Sequence, residues 1–253
     1  MKHGLRFFGK GAGLFFLFIL CSSFACATLL NGPVEFEKLA IIYHTDEIEV
    51  NLEIPVITYT EDEEIQDAIN TMFEHHATAF VKEVYSWYLE YAQMAEEYGF
   101  EPHTFVAYTR FEVTFNESQI LSIPVTYYQY TGGAHGMTEV RSYNIDLRTG
   151  KLFKLKEILN DQQIDAINKE IDHQLQEDSK NFFPEAAEDF EGIADDQHFY
   201  LENGTLVVYF DLYELRPYAL GIPEFRFSLD FLDLTIENIK QLLSQREVSE
   251  DDS

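Results

Sequence analysis

The histidine most suggestive of chemistry is His135, in the run Tyr130-Thr131-Gly132-Gly133-Ala134-His135-Gly136. Imidazole titrates near neutrality, so this side chain can act as an acid, a ligand or a pH-sensitive contact. Three glycines bracket it, and glycine allows backbone angles and close approaches that other residues resist. The segment therefore presents His135 on a specially shaped turn. The alternative is that the ring bonds a neighbouring carbonyl and holds its own loop, because no second catalytic group is identifiable beside it. The remaining histidines, His44, His103, His173 and His198 among them, are scattered. The pair His75-His76 points about 100° apart on a helix and is poorly placed to share a metal.

Other catalytic patterns are missing. No Gly-x-Ser-x-Gly elbow, His-Glu-x-x-His helix, Walker loop or Gly-x-Gly-x-x-Gly occurs. Both cysteines, Cys21 and Cys26, fall in the first thirty residues, so the rest has no thiol nucleophile or thiolate metal site. Acidic residues are so abundant that a glycosidase-type pair cannot be argued from their number. No catalytic residue, metal or cofactor is assigned.

The start of the chain has its own composition. Lys2, Arg6 and Lys10 precede an uncharged apolar run from Gly11 to Leu30, and Ala25-Cys26-Ala27 supplies a small-x-small cleavage pattern. Residues 1–27 read as a secretory signal, with an uncleaved anchor or a lipoprotein modified at Cys26 as alternatives. The expected location is extracytoplasmic, with membrane contact only through this segment. The formal net charge is −28, and beyond the signal 45 acidic and 14 basic residues leave −31. Such a surface repels nucleic acid and anionic lipid and speeds encounter with basic proteins. It also keeps an exported protein soluble.

The elements that must position His135 form two sequential strand-and-helix blocks. Residues 34–59 read as two strands broken near Thr45-Asp46, with Val50, Leu52 and Ile54 alternating with acids and Asn51. Thr60 can cap a helix reaching Glu97, with Gly99 to stop it. Strands follow over residues 105–148, with turns at Asn116-Glu117, at the GGAHG segment and at Gly150. Asp161 caps a second long helix, Asn203-Gly204 marks a hairpin, residues 225–229 form a last strand, and residues 234–243 a terminal helix. The expected fold is α+β, with antiparallel sheets and a long helix packed on each of two sequential lobes. The lobes are residues 34–130 and 131–243, before an acidic tail at 244–253.

Three stretches carry a family resemblance. They are Tyr130 to Gly136, then Ser142-Tyr143-Asn144-Ile145-Asp146-Leu147-Arg148-Thr149-Gly150-Lys151, and Tyr209-Phe210 with Tyr213-Glu214-Leu215-Arg216-Pro217-Tyr218-Ala219-Leu220-Gly221-Ile222-Pro223-Glu224-Phe225. In order and spacing they resemble the extracytoplasmic region of RsiV anti-sigma factors and the non-catalytic N-terminal part of PdaC-type peptidoglycan deacetylases. The likeness covers most of residues 35–243.

The resemblance implies a sensor-like α+β extracytoplasmic domain without an established activity of its own. Lysozyme or another basic protein, or peptidoglycan, is the expected partner. Candidate partner-binding residues are Tyr130, Gly132, Gly133, His135, Gly136, Arg216, Tyr218 and Glu224, with no lysozyme contact transferred residue by residue. Only ten residues precede the apolar run and a short tail follows the family region, so neither a sigma-binding segment nor a deacetylase domain is expected. A structural domain without a small ligand, and a glycan hydrolase using His135 with nearby carboxylates, are the competing functions.

Overall fold

The computed structural model describes residues 34–59 and 62–251. The expected signal segment and the expected cap Thr60 lie outside them. Strand β1 (Glu35–His44) pairs antiparallel with β2 (Ile48–Tyr59) around the break at Thr45-Asp46. The Thr45 hydroxyl secures this turn, accepting from the Glu47 and Ile48 amides and donating to the Ile48 carbonyl.

Helix α1 (Glu63–Tyr98) runs 36 residues. Asp62 is its N-cap, accepting from the Glu64 and Ile65 amides, two residues beyond Thr60. Gly99 closes it at φ 74°, donating its amide to the Ala95 carbonyl. Its apolar stripe, including Ile69, Phe73, Phe80, Val84 and Tyr88, is buried against the first sheet. By crossing over the sheet, α1 returns the chain so that β3 (Phe105–Phe111) pairs parallel with β2. Among the described residues every other strand pairing is antiparallel.

Strands β4 (Phe115–Glu117), β5 (Ile120–Tyr130), β6 (Met137–Asp146) and β7 (Lys151–Leu152) complete the sheet. The path runs β1-β2-β3-β5-β6-β7, with β4 alongside β5. The β4–β5 turn uses Ser118 and Gln119, both at positive φ (53° and 64°), rather than the expected Asn116-Glu117. The Glu117–Ile120 pairing leaves only those two residues to turn the chain, and the turn takes the form with left-handed angles at both. The expected lobe boundary at residues 130 and 131 falls at the β5–β6 turn, inside one sheet. The change of sheet comes after β7.

The second part contains α2 (Asp161–Glu177), a short α3 (Pro184–Glu188), strands β8 (Phe199–Glu202), β9 (Thr205–Tyr209) and β10 (Glu224–Ser228), and α4 (Ile236–Asp251). The N-cap of α2 is Asn160, not Asp161, in a reciprocal box with Gln163. Ile167, Ile171 and Leu175 of α2 pack with Leu201, Val208, Phe225 and Phe227 of the β10-β9-β8 sheet and with Ile239 and Leu243 of α4. The α+β class and one long helix per sheet are as expected.

Buried side chains join the sheets. Ser122 and Asn144, opposite each other on β5 and β6, are hydrogen-bonded at 2.5 Å. The Ser122 hydroxyl accepts the Leu201 amide and Asn144 Nδ2 donates to the Phe199 carbonyl. Two polar residues of the first sheet thus satisfy backbone groups of β8, an edge that would otherwise carry buried unpaired groups.

Candidate functional site

Tyr209, at the end of β9, fixes where the His135 loop meets the rest of the protein. Its ring is buried, and its hydroxyl accepts from the Ser142 amide at 3.1 Å and the Ser142 hydroxyl at 2.9 Å. It donates to the Val140 carbonyl at 3.1 Å. The end of β9 is therefore held against β6, and the loop from Asp211 to Pro223 is carried to the β5–β6 turn. Burial is the largest cause of the rise in the Tyr209 phenol pKa to about 12.

The turn is shaped by its glycines. Gly132 (φ 111°) and Gly133 (φ 91°) take left-handed angles. A Cβ on Gly132 would sit 2.8 Å from the His103 imidazole, whose Nδ1 lies 2.9 Å from the Tyr91 hydroxyl. A Cβ on Gly136 would collide with the Gln129 carbonyl and the Tyr128 ring. The Tyr130 hydroxyl donates to the Gly133 carbonyl at 2.9 Å and ties the turn to the end of β5. These four positions shape the loop and leave His135 exposed at its tip.

The second loop is held from within. The Arg216 guanidinium donates to the Gly221 and Ile222 carbonyls and lies over the Phe182 ring at 5.9 Å. It therefore orders residues 216–222. Tyr218, on that loop, stacks flat on His135, with centroids 4.0 Å apart and planes 14° apart. His135 Nδ1 lies 2.9 Å from the Gly136 carbonyl, and Nε2 lies 3.3 Å from the Tyr213 hydroxyl. Tyr213 is 5.9 Å from Tyr218.

Of the candidate residues, His135 and Tyr218 meet face to face, while Tyr130, Gly132, Gly133, Gly136 and Arg216 build the loops under them. Glu224 belongs to a different cluster, accepting from Tyr200 and pairing with Arg226. Tyr213 is the member that sequence reasoning missed. It is 45% exposed and adopts φ 68°, a conformation that a bulky residue resists. Strain of this kind concentrates at binding and switch sites. Nothing in the residue type announces it, since the angle is imposed by the loop.

The ring nitrogens of His135 meet a carbonyl and a phenol, and no carboxylate is among these contacts. The arrangement is an aromatic cluster in which His135 and Tyr213 are exposed and Tyr218 is half-buried. Among the described residues no group of three or more His, Cys, Asp or Glu is placed to hold a metal, and no helix is long and apolar enough to cross a membrane.

Residues 41–138 match the family described as "Deacetylase PdaC", and residues 152–230 match "Protein of unknown function (DUF3298)". The anti-sigma-V factor RsiV of Bacillus subtilis (strain 168) is 26% identical over 189 residues, covering 71% of this chain and 62% of RsiV. The chain is thus similar to the PdaC and DUF3298 families over successive segments and to RsiV over most of its length. It spans less than two thirds of the length of that curated relative. Crystal structures of two DUF3298 proteins share the fold of this chain. One from Bacteroides fragilis has a TM-score of 0.64 at 20% identity, over 84% of this chain and 98% of that one. One from Pseudomonas aeruginosa PAO1 has 0.58 at 19%, over 82% and 96%.

Proposed function

We propose that this chain is an exported, sensor-like envelope domain that captures a basic protein of the lysozyme kind and performs no chemistry itself. The observation that carries the proposal is the His135–Tyr218–Tyr213 ring cluster, with His135 and Tyr213 exposed, on a chain of formal net charge −28. Long-range charge speeds the approach of a cationic partner, and rigid aromatic rings supply contact area at low entropic cost. The likeness to an anti-sigma factor supports an extracytoplasmic regulatory role. Hydrolysis by His135 lacks a supporting carboxylate among the ring's contacts.

The test is calorimetry of the purified chain with lysozyme, with a second basic protein of similar charge, and with soluble peptidoglycan fragments, each at low and physiological salt. Binding of lysozyme that survives physiological salt and exceeds that of the control protein is expected. No binding at either salt, or equal binding of both proteins, overturns the reading. Binding of the fragments alone would replace the protein partner with a glycan.

A further inference from the structure

Away from the loop site, the second half of α1 presents a seam that no described element covers at Met94 and Tyr98. Trp87, Tyr91, Met94 and Tyr98 are spaced four, three and four residues apart, the repeat by which one helix packs on another. Trp87 and Tyr91 rest partly on the core, whereas Met94 is 44% and Tyr98 72% exposed. Phe100, beyond the helix end, extends the strip at 41% exposure and packs on Tyr91 at 5.6 Å. Grouped exposed side chains of this size mark an interaction surface rather than scattered surface residues.

One flank of the seam is an acidic rail. Glu83, Glu90 and Glu97 repeat every seven residues and are exposed. No lysine or arginine follows Lys82 in the helix. Glu96 and Glu97 sit in the last turn, where the helix dipole disfavours negative charge. Helix stability therefore does not account for them, whereas a cationic partner does. Apolar anchors at helical spacing beside a row of like charges fit an amphipathic helix of opposite charge.

We propose that the Trp87–Tyr98 face of α1 docks a cationic amphipathic helix on the surface of the captured basic protein. The inference rests on the basic-partner reading and adds a second contact surface to the His135 loop. The apolar side of that helix covers Met94 and Tyr98, and its lysines or arginines lie along Glu83, Glu90 and Glu97.

Trp87 is the sole tryptophan of the chain, so it reports on its own surroundings. The probe is a tryptophan-free helical peptide with one leucine face and one lysine face, titrated into the full chain at physiological salt. A scrambled peptide of the same composition is the control. The intact peptide is expected to shift Trp87 emission saturably, and the scrambled one to bind at least about tenfold more weakly. The double variant Met94→Gln/Tyr98→Gln weakens binding by a similar factor, while Ile42→Ser, on β1, leaves it unchanged. Thermal melts establish that both variants are folded. Equal binding of the two peptides, full affinity in the double variant, or no saturable shift overturns the proposal. The same double variant is then assayed for capture of lysozyme. Undiminished capture overturns the seam and leaves the basic-partner reading standing.

Discussion

The imidazole of His135 lies on the ring of Tyr218, 4.0 Å between centroids and 14° from parallel, although 83 positions separate them in the chain. One ring comes from the turn between two strands of the first sheet and the other from a loop of the second. The stack therefore exists only when the two sheets are docked. Tyr218→Ala is expected to reduce affinity for the basic partner about tenfold, with little change in melting temperature because the contact is at the surface. His135→Phe keeps a flat ring and retains most of the affinity, whereas His135→Ala does not. Calorimetry with the three variants checks this. Equal loss in His135→Phe and His135→Ala would show that the ring nitrogens, not the stack, matter.

Tyr209, with Ser122 and Asn144, docks the two sheets. Tyr209→Phe leaves the Val140 carbonyl and the Ser142 amide without the phenol. The expected cost is about 1–3 kcal/mol, read from urea unfolding. The phenol pKa is raised to about 12, mainly by burial, so the folded state favours the neutral form. Its contribution is complete below the unfolded value near 10 and is lost as pH rises through about 12. Tyr143 and Tyr127, hydroxyls 2.8 Å apart, are shifted upward chiefly by burial too. A stability loss that begins above pH 10, reduced in Tyr209→Phe, is the expected alkaline profile.

His76 supplies the opposite slope. Its Nδ1 lies 2.9 Å from the Tyr143 hydroxyl, and its pKa is lowered by burial first, then by His75 and Arg141. Because the folded value lies below the unfolded 6.5, the neutral ring contributes stability above pH 6.5. That contribution is lost as pH falls through the folded pKa. His76→Gln should flatten the pH dependence of the urea midpoint below 6.5. An unchanged slope would assign acid sensitivity to the carboxylates.

The Ser118-Gln119 turn is strained in both positions, with φ 53° and 64°. Gln119→Gly removes the Cβ that disfavours this angle and should stabilise the protein by about 1 kcal/mol. A raised urea midpoint with an unchanged slope checks it. A lowered midpoint would mean that the Gln119 side chain makes contacts worth more than the strain.

Local chemistry made much of the fold legible. The stripe of α1, its stop at Gly99, the hairpin at Asn203-Gly204 and the turn at Gly150 follow from periodicity and from residues suited to particular angles. The helix starts differ by one or two residues, with Asp62 and Asn160 the side chains that accept from the first exposed amides. The β4–β5 turn moved two residues because Phe115 and Ile120 are both buried in the second core. The register that places them there overrides turn preference.

His135 and its glycines stood out in the sequence because close approach leaves a compositional mark, and the charge stood out because it only needs counting. The partners of His135 did not. Tyr213 and Tyr218 reach it through the Tyr209 hydroxyl on Ser142 and through Arg216 on its own loop carbonyls. Those bonds have no period. A chain's pattern of apolar residues records which face of each element is buried, because that depends on neighbours a few positions away. Which loops then meet depends on how two complete sheets pack, and here Ser122, Asn144 and Tyr209 decided it.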